Sequence, residues 1–377
     1  MYLKSILGIV LILTWVLVGC KNNLDLVDID ATERTELATI SSSSSANTPV
    51  GSSMKKTLLI QSNSSSSMAV SPDGNLAVAV NPDSDSITIV DAITLEFVAE
   101  ISVGDNPITV SITPDSRNAL VTNYDSATLS VIDLVQAKQI AQYNVGHMPY
   151  GVVTNGTHGF ITEFGIGFVS IIDLGSGELL TRIRVDPFPS GIALSQNAEK
   201  LLITHLFTGK ITVIDVSTRT IIGTVSTGSE TNISQFIVID QKGEKAYIPQ
   251  TRSNATNMAL LFDTTVFPIV NVLDLDELQL VTKERITLDT ADKPVNMPFS
   301  VALSPDKHIL YVANAGSNNV SVIDLRTNKG LANLTVGSNP RGIAIVPDES
   351  RVFVNNVLDG TVSVIDTETL VVANTIQ

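Results

Sequence analysis

Three features of the sequence predict an all-β fold, a propeller of seven four-stranded antiparallel blades. An apolar-Ile-Asp motif, or a close variant, recurs seven times, most often 42 residues apart. A large apolar residue recurs 13 residues before the aspartate in six of the seven units. No segment outside the N-terminus has the 3.6-residue period of a helix. The motif ends at Asp91, Asp133, Asp173, Asp215, Asp274, Asp324 and Asp366, and the apolar column holds Val78, Leu120, Phe160, Leu202, Tyr311 and Phe353.

The composition allows a large core and argues against binding to nucleic acid. Hydrophobic residues make up 44% of the chain and charged residues 16%, against about 25% charged in a typical soluble protein. The formal net charge of −15 repels a phosphate backbone, which is bound through clustered Lys and Arg. The single cysteine, Cys20, excludes an internal disulfide, a Cys-rich zinc site and a c-type haem.

Residues 1–19 resemble a bacterial lipoprotein signal peptide. Residues 6–18 form an apolar run that is shorter than the roughly 20 residues of a membrane span and fits a secretory signal. The following Gly19-Cys20 completes a segment similar to a lipobox. This resemblance implies cleavage before Cys20, acylation of that residue and a stable membrane anchor; an ordinary signal peptide is the alternative. Lys21 after the cysteine favours the outer membrane or cell surface.

Residues 20–56 are predicted to be a flexible tether behind the lipidated cysteine. They are acidic and contain five consecutive serines at 41–45. Such a sequence buries too little apolar area to fold and behaves as a linker. An additional folded element is the alternative.

Residues 57–377 are predicted to form the propeller. In the sixth unit, strands over 299–303, 309–313, 320–323 and 331–336 are separated by segments rich in Pro, Gly, Asn and Asp, which are turn signals. Neighbouring blades bury each other's faces, so the apolar column is interpreted as inter-blade core. In the fifth unit Tyr247 takes this position, 27 residues before Asp274, which indicates a 14-residue insertion.

The repeats resemble those of the YVTN β-propeller family. Tyr311-Val312-Ala313-Asn314, Leu120-Val121-Thr122-Asn123 and Phe353-Val354-Asn355-Asn356 are similar to its signature. A Ser-Pro-Asp-Gly turn at 71–74 and Gly-x-Asn-Pro turns at 104–107 and 337–340 are its other marks. The resemblance implies seven blades and similarity to lactonase-type and quinoprotein-type propellers of bacterial and archaeal envelopes.

Closure of the ring has two interpretations. Residues 371–376 supply a fourth strand to blade seven, and residues 57–61 have the same strand character. Only one segment can occupy that position. We favour residues 371–376; in the alternative, residues 57–61 clasp the last blade.

One face of the predicted ring carries the candidate ligand site. Loops between the second and third strands meet the inter-blade turns there, and the 14-residue insertion falls within 250–267. Long loops on a rigid scaffold are often functional, and the apolar residues of this one predict a lid; a packing loop that plugs the channel is the alternative. Arg341 suits a carboxylate or phosphate, or an inter-blade ion pair. The candidate residues are Tyr150, Arg252, Phe262, Asp263, Phe267 and Arg341.

A second candidate group is polar. The repeat position that closes the second strand is usually Asn, but it is Glu163 and His205 in adjacent units. His147 lies in a neighbouring inter-blade turn. A carboxylate beside a histidine can act as a general base pair or as half of a metal site. Solvated rim residues are the alternative, and we predict no metal.

The sequence favours a non-catalytic binding module, anchored by lipid in the bacterial cell envelope. It contains no phosphate-binding loop and no Gly-x-Ser-x-Gly nucleophile elbow. The expected chain is a monomer without a cofactor that holds an envelope protein, peptide or glycan. The alternative is a lactonase-like hydrolase or an accessory to periplasmic electron transfer.

Overall fold

A computed structural model describes residues 63–228, 232–253, 266–288, 291, 293–304, 306 and 308–377. Their strands form seven antiparallel sheets, and the inner strands of successive sheets contact one another around a closed ring. The predicted seven-bladed propeller is confirmed. The predicted signal peptide, Cys20 and the tether lie outside the described residues. Within the described ranges, no helix has the length and hydrophobicity that a membrane span requires.

The strands of each blade run from the channel outwards. Blade one consists of Met68–Val70, Leu76–Asn81, Ser86–Asp91 and Phe97–Ser102, and blade two of Pro107–Ile112, Asn118–Asn123, Thr128–Asp133 and Lys138–Asn144. Blade three consists of Pro149–Thr154, His158–Glu163, Phe168–Asp173 and Leu179–Arg184. Blade four consists of Pro189–Leu194, Lys200–His205, Lys210–Asp215 and Thr220–Ser226. Blades six and seven consist of Pro298–Ser304, Ile309–Asn314, Asn319–Asp324 and Lys329–Thr335; and Pro340–Ile345, Arg351–Asn356, Thr361–Asp366 and Val371–Ile376.

Blade five departs from the four-strand pattern. Its two central strands, Lys245–Ser253 and Val266–Asp274, are longer than those of the other blades, as the insertion between them predicts. Its first and last strands are each broken in two. The pieces are Asn232–Ser234 and Val238–Ile239 on the inside, and Gln279–Leu280 and Ile286–Thr287 on the outside, with a 3-10 turn at Thr282–Glu284; a second such turn is Pro82–Ser84 in blade one. The inner break arises because Ser234 N–H and the Gln235 carbonyl bond to blade four instead.

The motif aspartates start the turn between the third and fourth strands. In blade one, Oδ1 of Asp91 accepts the backbone N–H of Ile93 and of Thr94, each at 2.8 Å. In blade four, the backbone N–H of Thr218 and the neighbouring hydroxyls lower the pKa of Asp215 to about 2. A carboxylate that accepts several local donors fixes such a turn, which explains why Asp recurs at this position.

Seven apolar clusters fill the seven junctions between blades, and they contain the predicted column. Each junction buries one column residue, whose side chain faces the next blade. Tyr311 and Phe353 are fully buried in this way. The prediction that the column is inter-blade core is therefore confirmed for Val78, Leu120, Phe160, Leu202, Tyr247, Tyr311 and Phe353.

The first described residues occupy the central channel. Asn63 and Ser64 pair with Leu194 and Ala193, at the end of the inner strand of blade four. Ser66 lies in the channel, where its carbonyl accepts the N–H of Val110 at 2.9 Å in blade two. Asn63 therefore lies at the face that carries the turns between first and second strands. We call this the entry face, and the opposite face, with the inter-blade turns, the mouth face.

The ring closes between blades seven and one by packing. Val371–Ile376 pairs with Thr361–Asp366 and supplies the fourth strand of blade seven, as favoured from the sequence. Residues 57–61 lie outside the described residues. Met68, Phe353 and neighbouring apolar residues fill the junction, and Nδ2 of Asn355 donates to the carbonyl of Ser67 at 3.1 Å.

Candidate functional site

The inner strands begin with a proline and a β-bulge in five blades. The bulge follows Pro107, Pro149, Pro189, Pro298 and Pro340. A bulge leaves one residue outside the ladder and changes the direction of its side chain. The residue that the bulge leaves outside the ladder, directly after the proline, is Tyr150 in blade three, Phe299 in blade six and Arg341 in blade seven. The bulges explain why these side chains meet above the channel.

Tyr150, Phe236, Phe299 and Arg341 contact one another on the mouth face, where Phe236 and Phe299 are buried and Tyr150 packs against them. The ring of Phe236 lies 6.1 Å from that of Tyr150 and 5.5 Å from that of Phe299. The guanidinium carbon of Arg341 lies 5.5 Å from the centroid of Phe299, within cation–π range. The Tyr150 hydroxyl donates to Oε1 of Gln235 at 2.5 Å. Tyr150 and Arg341, two of the residues predicted from the sequence, therefore belong to one group of side chains on the mouth face.

Four further aromatic rings extend this group outwards over blades two to four. The Phe164 ring lies 5.8 Å from that of Tyr150, 6.2 Å from that of Tyr124 and 5.4 Å from that of Phe188. Phe207 lies 5.2 Å from Phe188. We call these four rings, with Tyr150, Phe236 and Phe299, the ring row. It uses seven of the chain's eighteen aromatic residues (11 Phe, 6 Tyr and 1 Trp).

Apolar residues occupy strained backbone positions at Phe188, within the ring row, and at Met148 and Met297 beside it. The residue before the inter-blade proline has positive φ in five blades, and in blades two and seven it is Asn106 and Asn339, a residue that tolerates this conformation. In the other three blades it is Met148, Phe188 or Met297, with φ of 54°, 58° and 51°. Such outliers cluster at functional sites. Met148 and Phe188 remain 43% and 42% exposed.

Burial is the main influence on the pKa of Tyr124 and Tyr150, the two tyrosines of the ring row. Burial raises the pKa of Tyr150, and the nearby positive charge of Arg341 opposes this effect. Burial also raises the pKa of Tyr124, with a second contribution from the negative charge of Asp125. Both phenols are therefore neutral hydrogen-bonding groups at neutral pH, and an acidic region adjoins the ring row at Tyr124.

Glu163 and His205 do not share a site, because each is buried and bonded within its own blade. Glu163 accepts from the Ser170 hydroxyl and from Nε of Arg182, the latter at 3.1 Å. His205 contacts the Thr212 hydroxyl through Nε2 at 2.8 Å and the Pro187 carbonyl through Nδ1 at 3.2 Å. His147 is exposed. In the part of the chain that the structure describes, no three His, Cys, Asp or Glu side chains are arranged to hold a metal.

These two residues replace a repeated structural asparagine. Asn123 donates through Nδ2 to the hydroxyls of Thr128 and Ser130, five and seven residues later. Asn81, Asn314 and Asn356 make the same contact seven residues on. Glu163 and His205 likewise bond to the hydroxyl seven residues later, so the position ties the second strand to the third.

His205 makes stability dependent on pH. Burial lowers its pKa, although the Pro187 carbonyl opposes this. The folded state therefore excludes a proton that the unfolded chain binds below about pH 6.5, and stability falls as the pH drops through this range. The His205→Asn variant should lose this dependence, at most about 1.4 kcal/mol per pH unit. Chemical denaturation at pH 7.5 and pH 5.5 measures the free energy of unfolding of the wild-type protein and of the variant. If both lose the same stability at the lower pH, His205 is not the source of the pH dependence.

The remaining candidates belong to the blade-five insertion. Arg252 and Phe267 face each other across its two long strands, beyond Gln250 on the mouth face. Phe262 and Asp263 lie outside the described residues, as does most of the predicted lid. Sequence reasoning missed Tyr124, Phe164, Phe188, Phe207 and Phe236. Only Phe188 carried a signal, as an apolar residue at the repeat position that holds Asn106 and Asn339.

Comparisons with known proteins agree with the architecture. The YNCE-like β-propeller family profile matches residues 36–160, and the profile of the cytochrome D1 heme domain matches residues 264–377. Hydrazine synthase from Kuenenia stuttgartiensis has a similar fold, with a TM-score of 0.73 and 19% identity, over 85% of this chain and 99% of that one. No curated protein matches the sequence. The sheet topology and the structural similarity agree on the fold, a seven-bladed β-propeller.

Proposed function

We propose that this chain is a lipid-anchored, non-catalytic binding module of the bacterial cell envelope that holds its partner at the ring row. The ring row itself carries the proposal. Its inner rings, Phe236 and Phe299, are buried, but Phe188 at its outer end and the neighbouring Met148 and Ile166 are each more than two-fifths exposed on the mouth face. Exposed apolar patches of this kind are typical of interaction sites.

The position of the chain's entry supports this role. Asn63 enters the channel at the entry face, where its Nδ2 donates to the carbonyl of Thr154 at the end of an inner strand. The ring row lies on the opposite, mouth face. The start of the described chain therefore does not cover the proposed binding surface.

The ring row is suited to recognition rather than to reaction chemistry. The Tyr150 hydroxyl is bonded to Gln235, and Nε of Arg341 donates to Oδ1 of Asn339 at 2.6 Å. The Glu163 and His205 side chains are fully buried away from this surface, with Oε1 of Glu163 and both ring nitrogens of His205 hydrogen-bonded. The site thus presents mainly apolar surface to a partner.

One matched profile is named for haem, and the described residues do not fit that group in the channel. Haem iron needs an axial side chain such as His with a free ring nitrogen. Both ring nitrogens of His205 are engaged, and His147 and His308 are exposed in turns. His158 begins a second strand at the entry face, where its Nδ1 contacts the Thr157 hydroxyl at 3.0 Å. Residues 63–67 occupy the channel. The proposed function therefore uses no haem.

Site-specific cross-linking in cells tests the proposal. A photo-reactive benzoylphenylalanine at position 188 should give a discrete cross-linked product, because Phe188 lies in the proposed binding surface. The matched control is position 135, since Val135 is apolar and 81% exposed but lies in a turn on the entry face. Products at 135 and none at 188 would refute the proposal. Membrane fractionation of the Cys20→Ala variant tests the anchor, which predicts its release.

A further inference from the structure

Three carboxylates adjoin the outer end of the ring row at Tyr124. Asp85, Asp105 and Asp125 are exposed. Asp85 accepts the backbone N–H of Asn106 at 2.8 Å, and Asp125 accepts from Nδ2 of Asn106 at 3.2 Å. The N–H of Asp125 donates to the carbonyl of Asp105. In the described ranges, none of the three forms a salt bridge. Like charges held together in this way repel one another and attract a cation.

The carboxylates and the ring row form one continuous surface. Asp125 follows Tyr124 in the chain, and its charge contributes to the raised pKa of that phenol. The Tyr124 N–H donates to the carbonyl of Asn106 at 3.0 Å, which fixes both features to the same turn. An acidic area thus borders the apolar surface of Phe164 and Phe188.

The geometry of the rings favours side chains over sugars. Sugars stack on open, flat ring faces. Here the Phe164 ring is tilted by 51° to the rings of both Tyr124 and Phe188, and Phe207 stands at 81° to Phe188. Phe207 packs edge to face on Phe188 and the other two pairs are tilted, so the exposed surface between these rings suits an apolar side chain of another protein.

We infer that the partner is a polypeptide segment that places an apolar side chain on Phe164 and Phe188 and a Lys or Arg beside Asp85, Asp105 and Asp125. This inference rests on the proposed function and names its partner. The ring contacts place Phe188 within about 12 Å of Tyr124, and an extended chain advances about 3.3 Å per residue. The cation should therefore lie three or four residues from the apolar anchor.

Labelled decapeptides test this inference with the full chain in phosphatidylcholine nanodiscs. Each peptide carries adjacent Phe and Leu, followed three and four residues later by two Lys, two Gln or two Glu. At low salt, fluorescence anisotropy should show that the Lys peptide binds about tenfold more tightly than the Gln peptide. The combined Asp85→Asn, Asp105→Asn and Asp125→Asn variant should lose this preference and keep its affinity for the Gln peptide. Asparagine retains the oxygen that accepts from Asn106, which protects the fold.

The outcomes separate this inference from the proposed function. Equal affinity for all three peptides would overturn the charge assignment and leave the binding module intact. Binding of an N-acetylglucosamine hexasaccharide in place of any peptide would overturn the partner class. If no probe binds, the inference falls, and the cross-linking comparison of positions 188 and 135 then decides the proposed function.

Discussion

Replacing Gly191 with alanine is expected to lower the free energy of unfolding by about 3 kcal/mol. The added Cβ would meet the Gln235 carbonyl oxygen and lie 2.7 Å from the Cα of Phe236. These are backbone atoms of the next blade, which cannot move aside as a flexible side chain can. Because this contact sets the spacing between blades four and five, the strain must spread through the junction.

Denaturant unfolding of Gly191→Ala measures this effect, with Gly175→Ala as the matched control. At Gly175 the new Cβ would lie 3.3 Å from a single carboxylate oxygen of Asp173, and we expect a change below about 0.5 kcal/mol. Equal stability of the two variants would show that blades four and five are not packed at the described distance.

The combined Met148→Asn and Phe188→Asn variant is expected to weaken binding of the Lys peptide by about 100-fold. Covering an exposed Met or Phe side chain contributes roughly 1.5–3 kcal/mol when burial is complete, and two partly covered side chains together supply about 3 kcal/mol. Asparagine already occupies this left-handed position at Asn106 and Asn339. The fold should therefore keep or slightly gain stability.

Two measurements on the same samples separate binding from folding. Anisotropy titration gives the loss of affinity, and thermal unfolding gives the stability. Unchanged affinity in a folded variant would remove the ring row from the binding surface. Lost affinity accompanied by a large fall in unfolding temperature would instead indicate that these side chains act in packing.

The repeat made the blades predictable because one physical constraint acts seven times. Each motif aspartate starts a turn, and each column residue, such as Tyr247 or Tyr311, fills one junction. The insertion in blade five could also be located from the spacing. The breaks in its inner strand could not, because they depend on Ser234 and Gln235 bonding to blade four, a contact between units that differ in sequence.

The candidate site was predicted only in part. Tyr150 and Arg341 follow a turn proline in each repeat, and this position predicted their place at the channel. Phe164 and Phe207 lie in loops that vary between units, and only the closed ring brings loops of adjacent blades together. The structural role of Glu163 inside its blade was also predictable from the sequence. A hydroxyl stands seven residues after it, as after Asn123, and this pairing indicates a contact inside the blade.

Hydrogen exchange of the full chain with and without the Lys peptide tests the central claim that the ring row is the binding surface. Bound peptide should slow exchange in the loop after Asn123, the loop after Glu163 and the turn before Pro189, and it should leave the turn around Val135 unchanged. The Met148→Asn and Phe188→Asn variant should show no such protection. Protection confined to the entry face or to the outer strands would contradict the claim.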